Sequence, residues 1–275
     1  MFFSECVKIL NFFLLLWPVL IAKKMDSRGF NTYTNIPAVT KNLLIINVLF
    51  WFATLYMSAK MDLTGMLGLH YPASKAFRLY QLVTYMFMHA SFMHIFFNMF
   101  AVYMFGRIIE SVWGSKRFFT YYMITGIGAG VVNIIVAYLR IKSIESNLDV
   151  ETVAMVYREG LDIIRQEKQY VDPVLRQLNM LINSTTVGAS GAVFGILLAF
   201  GMMFPNMPLY IIPIPFPIKA KYLVTFYGFI ELFAGIANFS FDNIAHFAHL
   251  GGMLFGLIMV LYWRKKDRAN DRFLY

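Results

Sequence analysis

The chain has 275 residues, 59% of them hydrophobic and only 14% charged, with a mean hydropathy of +0.60. Soluble domains carry roughly 25% charged residues, so a water-soluble globule is excluded. Disorder fails for the same reason, and the single cysteine, Cys6, excludes a disulfide scaffold. The formal charge of +9 reads as basic loops held on one side of a bilayer, not as nucleic-acid affinity. What remains is an all-α polytopic membrane protein, with lipid and no nucleic acid as its partner.

In chain order, residues 9–22 form a 14-residue apolar run between Lys8 and Lys23–Lys24. The run is short for a span and no small-residue cleavage site follows it. It reads as an interfacial helix, or residues 1–24 are an upstream-start artefact with synthesis beginning at Met25; both are preferred to a seventh span. A span needs about 20 predominantly apolar residues, and six stretches qualify: 42–59, 83–105, 118–139, 188–204, 222–239 and 244–263. Residues 209–218 are apolar too, but Pro213, Pro215 and Pro217 forbid a continuous helix, so they form a loop at the interface.

Residues 141–186 are the one sizeable water-soluble piece. Val153, Val156, Leu161 and Ile164 form a partial helical stripe, Pro173 breaks it, and Val174, Leu178 and Leu181 begin a second. The expectation is an amphipathic pair on the outer membrane surface, a solvated insertion rather than a docking device. The organisation is thus an N-terminal segment 1–40, a six-helix core 41–263 containing that insertion, and a basic tail 264–275.

With the N-terminus inside, fifteen of the 24 Lys and Arg residues fall on one side and nine on the other. Basic residues mark the loops that stay in the cytoplasm, so both termini are expected there.

Alternating spans fix depth. Ser190 begins the fourth span, His249 lies a few residues into the sixth, and His94 and Asn98 lie deeper in the second. A shifted or tilted second span is needed to bring all four level. Gly188, Gly191 and Gly195 repeat at about one helical turn, as do Ala248, Gly252 and Gly256. Small residues at that interval let membrane helices approach closely. Close approach would bring the Ser190 hydroxyl to an imidazole, the minimum for an activated nucleophile. At a helix N-terminus the free N–H groups and the dipole also favour a developing negative charge. His94 and Asn98, at i and i+4 on one face, are donors suited to the rest of an oxyanion hole. Each feature alone has a bland explanation in packing; their convergence on one layer does not.

The runs GASGAVFG at 188–195, HASFMHIFFN at 89–98 and AHLGGMLFG at 248–256 resemble motifs of the rhomboid family of intramembrane serine proteases. The resemblance covers about residues 40–263 and implies a six-transmembrane-helix rhomboid-like bundle of the bacterial core type. It implies Ser190 as nucleophile and His249 as general base and acid, with His94, Asn98 and the Ser190 N–H as oxyanion hole. His89 would orient the loop before the second span. Phe194 would pack on the catalytic histidine, and Gly252 and Gly256 would let the fourth and sixth helices touch, alongside Gly188 of the serine loop. Glu110 would be structural, pairing with Arg107. The family's Trp-Arg pair before the second span is missing from FRLYQLVTYMFMH at 77–89, which leaves that loop's structure open.

Glu231, mid-span in the fifth helix, has no part in this picture. It is expected either to bond a neighbouring helix in protonated form or to face a gap between the second and fifth spans. With no third acidic residue evident, the expectation is a Ser190–His249 dyad cleaving transmembrane segments of other proteins near the outer face. Neither metal nor cofactor is expected, and the compartment is a bacterial plasma membrane. The competing classes are a non-cleaving escort protein of the same fold, which the presence of both Ser190 and His249 disfavours, and a metal transporter using His89, His94, His246 and His249. The amide and hydroxyl neighbours of those histidines suit metal poorly.

Overall fold

The computed structural model describes residues 36–210, 216–237 and 246–269. The expectations for residues 9–22, for Met25 and for residues 270–275 of the tail lie outside them. The described elements are α1 (Ala38–Met57), α2 (Leu63–Leu67), α3 (Gln81–Thr84), α4 (Phe92–Trp113), α5 (Ser115–Glu145), α6 (Val150–Arg165), α7 (Pro173–Asn183), α8 (Ser190–Met203), β1 (Pro208–Leu209), β2 (Ile218–Lys219), α9 (Ala220–Ala237) and α10 (His246–Ala269). The fold is a helical bundle. The helices α1, α4, α5, α9 and α10 are long and apolar enough to cross a membrane.

The remaining apolar helix, α8, has 14 residues. At roughly 1.5 Å per residue it rises about 21 Å, less than the roughly 30 Å of hydrocarbon. It can be short because it is enclosed by protein: Gly191, Ala192, Val193, Gly195, Ile196, Ala199, Phe200 and Met203 are all buried. Its backbone packs between α5 and α10. The consequence is that its first residue, Ser190, sits recessed from one end of the bundle.

The opposite end is tied by polar contacts that also fix helix direction. Pro37 precedes α1 and offers no side-chain cap. The Glu110 carboxylate of α4 fills that role, accepting from Val39 N at 2.9 Å and from Thr40 N and Oγ1 at 2.7 Å each. Ser115 Oγ donates to the same group at 2.6 Å. Arg107, the partner expected for Glu110, instead donates to Tyr103 OH and stacks over its ring. A charged group able to satisfy a helix end across the bundle outcompetes a local i, i+3 pair. Arg117 and Asp267 pair at 2.8 Å, and Arg264 donates to the Met202 carbonyl at 2.6 Å. The start of α1, end of α4, start of α5 and ends of α8 and α10 therefore share one side.

The second span is shifted from its expected position. The apolar run from 83 onward is not one helix: α3 and a 3₁₀ turn (Tyr85–Phe87) precede an irregular stretch, and α4 starts only at Phe92. Ser91 caps it, its Oγ accepting from His94 N. The preceding loop is organised by buried Gln81. Its Nε2 donates to the carbonyls of Met66 and Ala76 at 3.1 and 3.0 Å, while its Oε1 accepts from Arg78 N at 3.1 Å and His70 N at 3.3 Å.

The insertion forms the expected helical pair, with a core of its own. Val156, Leu178 and Ile182 bury against Ile141 of α5. Asp149 caps α6, and its hydrogen bonds from Thr152 hold its carboxyl below the usual carboxylate range. A buried polar chain runs from Ser74 Oγ to Asn183, from Asn183 to Asn179, and from Asn179 to the Gly160 carbonyl. It links the insertion to the first loop, and a Leu69–Thr186 bridge carries the chain on to the start of α8. The expected loop at 209–218 is entered and left through the β1–β2 pairing; residues 211–215 lie outside the described ones.

Candidate active site

Gly188 sets the backbone before α8, with φ of +127°, a conformation that side chains other than glycine's disfavour. Its N–H donates to the Tyr85 carbonyl at 2.9 Å. The chain then enters α8 at Ser190 with no side chain capping the helix. The first N–H groups are thus left for another acceptor.

Close packing brings α10 to this point. A Cβ at Gly252 would collide with the Gly191 carbonyl, and one at Gly256 would lie 3.4 Å from Gly195 Cα. The spacing of small residues did predict this contact. It places Ser190 Oγ 2.8 Å from His249 Nε2. The His249 ring stacks on Phe194 with centroids 4.3 Å apart and planes at 8°. Phe194 lies one turn below Ser190 on α8, so one helix face supplies both the hydroxyl and the platform under the imidazole.

The late start of α4 accounts for the depth mismatch, the shifted second span being one of the two expected solutions. His94 is the third residue of α4 rather than one deep in a span. Its ring lies against Gly188, 2.7 Å from where a Cβ would stand, and Gly188 leaves that space open. His89 is buried and meets the His94 ring edge-on at 5.0 Å. Asn98 is buried one turn further along α4, its Nδ2 donating to the His94 carbonyl at 3.0 Å. Among the contacts described, the serine loop is met by His94 and not by Asn98.

Glu231 and His246 are the residues that sequence reasoning left out. Glu231 is turned from α9 onto α10, where its Oε2 lies 2.9 Å from His249 Nδ1 and 2.6 Å from His246 Nδ1. Of the two expectations for this glutamate, the contact with a neighbouring helix is found, and its partners are imidazole nitrogens able to donate to an ionised carboxylate. A signal existed: an intramembrane carboxylate requires a partner, and His246 had no role in the protease reading. Glu231, His246 and His249 also each offer a ligating atom within 4.8 Å of the others, a set able to hold a divalent ion.

The described residues thus form a helical multi-pass membrane protein with a serine and a histidine paired between two inner helices. Residues 76–266 match the Rhomboid domain, and the chain belongs to the rhomboid family. It is similar to Rhomboid protein 1, mitochondrial, of Saccharomyces cerevisiae, 25% identical over 65% of this chain and 40% of that one. It is also similar to Rhomboid-like protein 11, chloroplastic, of Arabidopsis thaliana, 24% identical over 70% of this chain and 55% of that one. The matched region spans about half the length of these relatives.

Proposed function

We propose that this protein is an intramembrane serine endopeptidase that cleaves transmembrane segments of other membrane proteins, with Ser190 as nucleophile and His249 as base. The observation that carries the reading is the 2.8 Å approach of Ser190 Oγ to His249 Nε2 at the uncapped start of a recessed helix.

In the reaction, Nε2 takes the Ser190 proton as Oγ bonds to the scissile carbonyl carbon. The carbonyl electrons move onto oxygen, and the charge is met by the Ser190 N–H, the free end of α8 and the His94 ring, with Asn98 as the further donor. Collapse breaks the C–N bond, and the proton on Nε2 passes to the leaving nitrogen. Water, deprotonated by the same imidazole, then releases the acyl group as a carboxylic acid. His89 and Phe194 hold His94 and His249 in place. Gly188, Gly252 and Gly256 provide the clearances.

A substrate helix has all its backbone groups paired, so it must unwind locally before attack. Substrates with small or helix-breaking residues at the cleavage point are favoured. We assign substrate entry to the gap between α4, which carries the neighbouring rings of Phe92, Phe96 and Phe100, and α9.

The basic residues near Arg117 and Arg264 lie at the end of the bundle away from Ser190. By the positive-inside rule that end is cytoplasmic, along with both termini, and cleavage occurs towards the outer face. We assign the protein to a plasma membrane, with residues 41–263 as the catalytic core, 141–186 as an outer insertion and 264–275 as a cytoplasmic tail.

The test is cleavage of a transmembrane substrate in proteoliposomes. Wild type should cleave, whereas Ser190→Ala and His249→Ala should not. Cleavage surviving Ser190→Ala would overturn the reading. Protease protection of the insertion in oriented vesicles checks the topology.

A further inference from the structure

Glu231 stands near the middle of a helix whose lipid-side residues, including Phe229, Phe233 and Ile236, are exposed and apolar. Glu231 itself is 8% exposed. A carboxylate in such surroundings is retained only with strong partners, and both of its described partners are imidazole nitrogens of α10. One belongs to the histidine that faces Ser190. His249 therefore lies between a hydroxyl at Nε2, 2.8 Å away, and a carboxylate at Nδ1, 2.9 Å away.

We infer that Glu231 is a positioning residue for His249, so that Ser190, His249 and Glu231 act as a three-member relay steadied by His246. This rests on the reading of His249 as the catalytic base. A neutral imidazole carries one N–H, and an ionised carboxylate can only accept. The proton is therefore held on Nδ1 and the Nε2 lone pair is directed at Ser190, the tautomer that the attack requires. When Nε2 takes the serine proton, the adjacent carboxylate stabilises the imidazolium and stays ionised itself. The proton leaves with the amine, and no net charge accumulates over the cycle.

Two further contacts fix the carboxylate. His246, one turn before His249, donates Nδ1–H to the same oxygen, which prevents Glu231 from rotating away. Arg140 of α5 donates to the Gly235 carbonyl at 2.8 Å, one turn along α9 from Glu231, and so sets the height of that helix. Any sideways displacement of α9 would separate Glu231 from His249, so the competence of the base depends on α9 being seated.

The experiment uses the full chain in proteoliposomes, comparing wild type with Glu231→Gln, Glu231→Asp, His246→Gln, Ser190→Ala and His249→Ala. Glu231→Gln should lower kcat by up to roughly 10⁴-fold, the loss seen when the orienting carboxylate of a Ser-His-Asp enzyme becomes an amide, with KM unchanged. It should slow fluorophosphonate labelling of Ser190 to match. Glu231→Asp should recover part of the rate, and His246→Gln should lose less than Glu231→Gln. A Glu231→Gln kcat within about threefold of wild type overturns the relay while leaving the Ser190–His249 reading intact. Cleavage by Ser190→Ala would instead remove the reading beneath it.

Should Glu231→Gln fail to fold, nitrogen NMR of histidine-labelled wild type, with His249 identified by its loss in His249→Ala, still decides. Neutral His249 protonated at Nδ1 supports the relay, and protonation at Nε2 overturns it. Activity that survives chelators supports the carboxylate–imidazole arrangement. Activity lost to chelators and restored by zinc would show the three side chains acting as a metal site and overturn the proposal.

Discussion

Gly252 lies with its bare α-carbon against the Gly191 carbonyl, closer than any side chain would permit. The Ser190–His249 contact depends on that approach, because Ser190 immediately precedes one glycine and His249 lies three residues before the other. Gly252→Ala must push α10 off α8. A displacement of about 1 Å between reacting groups can lower a rate roughly 10²-fold, so cleavage and fluorophosphonate labelling should both fall by at least that factor. Gly228→Ala is the control: its Cβ would meet only the flexible end of Met253 at 3.3 Å. Equal loss in both variants would detach the effect from this helix contact.

Glu110 predicts a stability effect without a catalytic one. It is buried and accepts hydrogen bonds from two backbone N–H groups and two hydroxyls. Glu110→Ala strands the start of α1, and unsatisfied buried donors cost about 1–3 kcal/mol each. Unfolding in detergent should shift to lower denaturant, with kcat of the folded fraction near that of wild type. An unchanged unfolding midpoint would contradict the capping role.

These two cases separate what was legible in the chain from what was not. Glycines at helical spacing report directly on which helices touch, so the meeting of α8 and α10, and with it Ser190 and His249, followed from local pattern. Glu110 was legible as structural but not in its partner. Local logic favours Arg107, three residues away, while the actual acceptor need lies on α1, some 70 residues earlier in sequence. The second span was misplaced because residues 83–105 are predominantly apolar on both sides of the break, so average hydropathy does not mark it. Only the cap at Ser91 does. Glu231 was missed for a similar reason: its contacts with His246 and His249 join two helices across 15 and 18 residues, and no spacing rule within one helix foresees them.

Gln81 is the polar centre of the loop before α4. Its amide satisfies four backbone groups between His70 and Met66, Ala76 and Arg78. Gln81→Leu keeps the volume and removes every bond, so the fold should lose about 1–3 kcal/mol or more. Residues 66–80 should become sensitive to added protease while α8 and α10 remain protected. Proteolysis that began in the 141–186 insertion instead would place the weak point elsewhere.

Gly188 joins the backbone of the serine loop to the position of His94, and that coupling can be measured. An alanine there meets two penalties: a φ of +127° and a Cβ 2.7 Å from the His94 ring. Backbone strain of this kind costs about 1–3 kcal/mol, and the ring must move off the loop. If His94 donates to the oxyanion, Gly188→Ala should lower kcat by roughly 10²–10³-fold, the range for loss of one such donor, while KM changes little. His94→Ala should cause a loss of similar size. Because the glycine acts through the histidine, the double variant should be no slower than the worse single one, a large departure from additivity. Strictly additive losses would mean that the two residues act separately and that the glycine serves only the turn into α8.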